Sequence, residues 1–153
     1  MDENQTFNLA QFNYAVAKDD ITSPTMQDFV ADLDRINGLA DESPGFVWRL
    51  KTEAGNALDI IAFPEDHRRL ITLSVWKDFA SFKEFTYNGP HREIMKRRHE
   101  WFDHIKEVYL VLWWLPAGEI PTVEDGRNRL IHLKENGSTP FAFTMREHFM
   151  HPA

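Results

Sequence analysis

The stretch VYLVLWWL (residues 108–115) is apolar or aromatic at every position. A strand alternates its side chains between two faces. This strand therefore has no side to show to water and must be central in its sheet or covered on both faces. A chain that contains it needs two layers of packing, and the rest of the sequence must supply them. No cysteine is present, so neither a disulfide framework nor a zinc-thiolate centre can do so. With 42% hydrophobic residues in 153, a single domain has enough apolar surface for the task (residues 1–153, with a core over about 8–116 and an extension over about 117–153).

The other elements follow from periodicity. Residues 9–17 (LAQFNYAVA) alternate, with Ala10, Phe12, Tyr14 and Val16 on one side and Gln11 and Asn13 on the other, which predicts a strand. Ser23-Pro24 predicts a helix start, and Met26, Phe29, Val30, Leu33 and Ile36 continue at helical spacing to an end near Gly38. Pro44-Gly45 is a turn, and residues 46–51 (FVWRLK) are a second strand with which residues 56–63 could pair. Residues 70–76 (LITLSVW) are a third strand, with Ile71, Leu73 and Val75 on one face and Thr72, Ser74 and Trp76 on the other. Asp78 caps a short helix bearing Phe79, Phe82 and Phe85, and Gly89-Pro90 starts another from His91 to about Glu107. After the apolar strand, Thr122 and Asp125 are spaced as a capping box for a helix that turns Val123, Gly126, Leu130 and Leu133 inward and stops at Asn136-Gly137. Residues 141–149 (FAFTMREHF) are a final extended segment.

The order is a ferredoxin-like βαββαβ unit, an α+β fold with an antiparallel sheet, followed by one helix and one extended segment. A single helical layer covers one sheet face. The other must be buried by a second copy of the chain, a homodimer, unless the appended helix takes that place. The 20 aromatics (12 Phe, 5 Trp, 3 Tyr) suit a large core, a ligand site or a dimer interface.

Charge and termini exclude some classes. The net charge of −7 disfavours nucleic-acid phosphates and anionic lipid as partners. The start MDENQTFNLAQFNY lacks the pattern of a signal peptide, and residues 108–117 are too few to span a bilayer, so a cytoplasmic protein without a membrane partner is expected.

The chemistry concentrates on PHREIMKRRHEWFDHIKE. Projected as a helix, Ile94, Met95, Trp101, Phe102 and Ile105 fall within about 60° of one line, and only His91 and Arg98 bring polar groups into that stripe. An unpaired buried guanidinium costs several kcal/mol, so Arg98 needs an acceptor: an internal carboxylate, backbone carbonyls, or a ligand anion that suits its fork. His91, near a helix start, is disfavoured as imidazolium and is either a core histidine tied to a carbonyl or a neutral base or ligand. The polar sheet face of Gln11, Asn13, Thr72, Ser74 and Trp76 is half exposed, paired across a dimer, or the floor of a polar-lined hollow. His67, His132, His148 and His151 are scattered; the last two, near the C-terminus, suit a frayed tail better than a surface metal site. With a lone inward histidine on its helix and no thiolate, no transition-metal site is expected.

LAQFN, DRINGLAD, SPGFVWRL, SVW, KRRHEWF, LWWLPAGEIPTVEDGRNRL and STPFAFTMREHF together resemble the DUF3291 family, a set of uncharacterised bacterial proteins, over about residues 9–149. The resemblance implies a dimeric α/β barrel, similar to the antibiotic-biosynthesis monooxygenase and heme-degrading groups. Heme-degrading relatives of that fold use an Asn on the first strand, a Trp ending the third and a His on the second helix. Asn13, Trp76 and His91 stand in comparable places here, with a longer Trp76-to-His91 interval. Cofactor-free oxygenases of the fold act on aromatic polyketides. The candidate catalytic residues are thus His91, Asn13 and Trp76, and the candidate substrate contacts are Arg98, Gln11, Ser74, Trp101 and Phe102. The reading is a small-molecule-binding protein, oxygenase-like and without a cofactor, acting on a medium-sized acidic or aromatic compound. The alternatives are a non-catalytic homodimer and a heme-binding or heme-degrading protein.

Overall fold

The computed structural model describes residues 6–52, 58, 60–66, 68–87 and 89–152. Four strands, β1 (Phe7–Val16), β2 (Phe46–Arg49), β3 (Arg69–Trp76) and β4 (Leu110–Pro116), form one sheet in the order β2-β3-β1-β4, each neighbouring pair antiparallel. This is the ferredoxin-like arrangement, α+β as the element order predicts. The described part of 56–63 forms no strand, and the remainder of that segment lies outside the described residues, as does His67.

On one face, Ala10, Phe12, Tyr14, Ile71, Leu73, Val75, Val111, Trp113 and Leu115 form the main core with Leu130 and Leu133. The last two belong to α5 (Val123–Asn136), the appended helix. Its start is a capping box: Thr122 Oγ1 accepts from the Asp125 N–H and the Asp125 carboxylate accepts from the Thr122 N–H, both at 3.0 Å. Gly126 lets this helix approach closely, since a Cβ there would stand 2.5 Å from the Phe12 ring. The face for which a second copy offered the simplest cover is thus covered within the chain by α5.

The strand that is apolar throughout is the sheet's edge, not its centre. It is covered on both faces, Val111, Trp113 and Leu115 facing α5 and Leu112 packing with Leu9, Trp76, Phe82 and Phe143. Residues 141–149 do not form a strand; Phe143 makes one antiparallel bridge to Leu112 (N–H···O 2.8 and 2.9 Å), placing Ala142 and Phe143 in the two opposite cores.

The other face lies under α1 (Gln27–Asp41), α2 (Phe79–Tyr87), α3 (Gly89–Lys96) and α4 (Arg98–Trp101). The first helix begins as a 3-10 turn at Pro24, the Ser23 hydroxyl makes no cap bond, and the helix runs past Gly38 to Asp41. The Asp78 carboxylate does cap α2, accepting from the Ser81 N–H at 2.8 Å. The expected single helix from His91 to Glu107 is broken at Arg97 and ends at Trp101. No proline or glycine causes this. The Trp101 carbonyl accepts from the Lys18 N–H and the Asp103 N–H donates to the Val16 carbonyl, both at 2.8 Å, so pairing with the end of β1 replaces helical bonds. Arg97 is held at the break by Asp28 (3.0 Å) and Glu100 (2.9 Å) and lies over the Trp101 ring.

Candidate functional site

Between this second face and the helices lies a cavity of about 390 Å³, within the usual range for small-molecule sites. Its floor follows from the strand register. Asn13 pairs with Thr72, Gln11 with Ser74 and Leu9 with Trp76, so the polar side chains of β1 and β3 stand side by side in rows. They form a continuous hydrogen-bonded ladder. Trp76 Nε1–H donates to Ser74 Oγ (2.9 Å), Gln11 Nε2 donates to Ser74 Oγ (2.9 Å) and to Thr72 Oγ1 (3.0 Å), and the Thr72 hydroxyl donates to Asn13 Oδ1. This is how Gln11, only 4% exposed, tolerates burial. The ladder runs from a closed end, where Trp76 is 2% exposed, to an open end at Thr72, which is exposed.

The closed end is aromatic. Trp76 packs edge-on to Phe46 (5.4 Å between ring centroids) and stacks with Phe85 (5.2 Å), which in turn meets the His91 ring at 5.1 Å. His91 Nδ1 lies 2.9 Å from the Thr86 carbonyl at the end of α2. A carbonyl accepts, so Nδ1 carries the proton, and in the neutral ring Nε2 is a lone-pair acceptor. Burial holds the imidazole below its ordinary value of 6.5, and the bond to Thr86 offsets only part of this. Among the described residues Nε2 has no partner.

Arg98 sits towards the open end. Its Nη2 donates to the Tyr109 hydroxyl at 3.3 Å and its guanidinium lies 5.6 Å from that ring's centroid. Tyr109 precedes Leu110, the β4 partner of Asn13, which fixes this corner of the cavity. Two arginines line the cavity. Arg49 is bridged to Asp41 at 2.7 Å, whereas Arg98 has no carboxylate partner among the described residues. Asp32 and Asp103, also on the wall, are paired with Arg35 (3.4 Å) and Arg68 (3.7 Å).

The cavity wall therefore brings together His91, Asn13, Trp76, Arg98, Gln11, Ser74 and Phe102. Trp101 stands apart, 1% exposed in a small core with Ala17 and Met26. The break at Arg97 also removes the straight-helix spacing of ~10.5 Å expected between His91 and Arg98. Sequence reasoning missed Thr86 and Phe85, which hold His91, and Tyr109, which holds Arg98. The Phe79, Phe82, Phe85 spacing reads as a plain core stripe, and Tyr109 is hidden in an apolar run. Among the described residues no three His, Asp or Glu side chains come together as a metal site, and no helix is long and apolar enough to cross a membrane. Of the other described histidines, His132 bonds Thr139 (3.1 Å), His148 stacks on Phe79 and His151 lies against Phe7 and Trp114, whereas His99 and His104 are exposed.

Compared with known proteins, residues 8–153 match the family model of DUF3291, a domain of unknown function. No curated protein and no solved structure matches.

Proposed function

The chain belongs to the DUF3291 family, and from that premise we propose that it binds a medium-sized organic acid in the cavity between the sheet and α1–α4. The family supplies no activity, so the reading rests on the residues. One observation carries it: a guanidinium without a carboxylate partner and a neutral imidazole with its Nε2 unpartnered line the same cavity. A partly buried cation is costly to leave uncompensated, and Tyr109 returns only a neutral hydrogen bond and a distant cation–π contact, with no opposite charge. A ligand carboxylate matches the fork and the charge. The rings of Phe46, Trp76 and Phe85 favour an apolar, preferably aromatic, body at the closed end.

In this reading the acid enters body first and leaves its carboxylate at the Arg98 end. His91 Nε2 then accepts a hydrogen bond, or takes a proton, from the part of the ligand beside Phe85. Proton removal by a neutral histidine is the step with which cofactor-independent, oxygenase-like chemistry would begin; without turnover the protein is a binder of the same ligand. The test is a thermal-shift panel of aromatic and aliphatic carboxylic acids, each beside its neutral amide. Acids, not amides, should raise the melting temperature, and Arg98→Met should abolish the difference. Equal response to acids and amides would overturn the reading.

A second reading has one supporting observation. The Nδ1 bond to Thr86 leaves Nε2 free and oriented, as an axial heme ligand requires. A Soret band on hemin titration that is lost in His91→Ala would favour it over the organic acid.

A further inference from the structure

The ladder on the cavity floor constrains the ligand more narrowly than charge does. In each of its four bonds the donor and the acceptor can be told apart. The indole Nε1–H of Trp76 is a donor only, so Ser74 Oγ accepts from it. The Gln11 amide nitrogen uses one proton on Ser74 Oγ and the other on Thr72 Oγ1. Thr72, having accepted from Gln11, donates to Asn13 Oδ1. The Ser74 oxygen thereby fills both lone pairs with protein donors. Its own proton has no acceptor among the described residues, and Ser74 lines the cavity. A hydroxyl so placed can act towards a ligand only as a donor.

Ser74 stands one row deeper than the Asn13–Thr72 pair, two residues along β3, or about 6.6 Å. Arg98 and Tyr109 hold the corner beside that outer row, where Leu110 pairs with Asn13. The aromatic end at Trp76 lies a further two residues in.

We infer that the ligand is an oxo acid: a carboxylate at Arg98, an uncharged carbonyl oxygen accepting from the Ser74 hydroxyl a few bonds further in, and an aromatic or apolar body against Trp76 and Phe85. This deepens the organic-acid reading and rests on it. A ligand without the central oxygen leaves the Ser74 proton buried and unpaired beneath it, which is where the selectivity comes from. Ser74 is a specificity-determining residue, and Gln11 positions it by occupying its second lone pair.

The experiment compares two probes that differ only in a carbonyl in place of a methylene, γ-oxo-γ-phenylbutyrate and γ-phenylbutyrate, by calorimetric titration. The wild type should bind the oxo acid at least about fivefold more tightly, the value of one neutral hydrogen bond. Ser74→Ala should bring the ratio to about one, and Ser74→Thr, which keeps a hydroxyl, should retain it. The ratio is taken within one protein, so a general loss of stability in a variant cancels. Should Ser74→Ala fail to fold, Ser74→Cys keeps the size with a weaker donor and should reduce the ratio. If both acids bind the wild type equally and both are lost in Arg98→Met, the carbonyl assignment falls and the acid site stands. A preference that persists in Ser74→Ala also refutes the assignment. If neither acid binds, both readings fall.

Discussion

Replacing Gly126 by alanine tests whether α5 closes the sheet as described. The new Cβ would lie 2.5, 2.6 and 2.8 Å from the Cγ, Cδ1 and Cβ atoms of Phe12. Real Cβ atoms essentially never come this close, and the neighbour is a fully buried ring with nowhere to swing. Overpacking of this kind costs about 1–3 kcal/mol, and the rigidity of the site argues for the upper end. Alanine returns about 1 kcal/mol through helix propensity. The net expectation is a loss of about 2 kcal/mol, a fall in melting temperature of roughly 4–8 °C for a chain of this size. Gly38→Ala is the control. It also lies in a helix, but its Cβ meets nothing within 4 Å, so the propensity gain of roughly 0.5–1 kcal/mol should appear undiminished. Both are read by thermal unfolding followed by circular dichroism. If Gly126→Ala unfolds at or above the wild-type temperature while Gly38→Ala behaves as stated, α5 is not seated on Phe12, and the sheet face needs a different cover.

Three further outcomes follow from single groups. His91 is held neutral by burial, so the unfolded chain binds more protons just below pH 6.5 and stability should rise with pH up to about that value; His91→Gln should flatten this part of the stability–pH curve. Tyr14 is pushed up to about 12, first by burial and then by its 2.6 Å bond to the Glu107 carboxylate. Its phenol stays protonated in the fold while an unfolded tyrosine ionises near 10. Stability should therefore decline between pH 10 and 12, and ultraviolet titration should lose a late-ionising tyrosine in Tyr14→Phe. Thr122→Ala removes the hydroxyl half of the α5 capping box and should cost ~1 kcal/mol by denaturant titration, with an unchanged m-value.

What the sequence could and could not reveal divides along physical lines. Period-two alternation placed Gln11, Asn13, Thr72 and Ser74 on one face because a strand admits no other arrangement. The capping box at Thr122 was legible because its signal is local and complete within four residues. The early end at Trp101 was not, since KRRHEW carries no helix breaker and the chain there turns to backbone bonds with Val16 and Lys18, some eighty residues away in sequence. The apolar strand required cover on both faces, which is what Val111, Trp113 and Leu112 receive, but nothing in it distinguished a central strand from an edge strand capped by Phe143. Arg98 was singled out by its place in an apolar stripe. Its partner Tyr109 was invisible, because a tyrosine amid valines and leucines reads as core. The same holds for the Thr86 carbonyl that fixes the His91 tautomer: a backbone acceptor leaves no mark on composition.

The central claim is that His91 and Arg98 serve one cavity and that an organic acid fills it. The most direct measurement is a long-range proton–nitrogen spectrum of the histidine rings during titration with γ-phenylbutyrate, in the wild type and in Arg98→Met. The account predicts that His91 is protonated on Nδ1 throughout, that its Nε2 resonance shifts on addition of the acid while those of His148 and His151 stay in place, and that Arg98→Met loses the shift. An Nε2 resonance that does not respond to acid, or a shift that survives loss of the guanidinium, would contradict it.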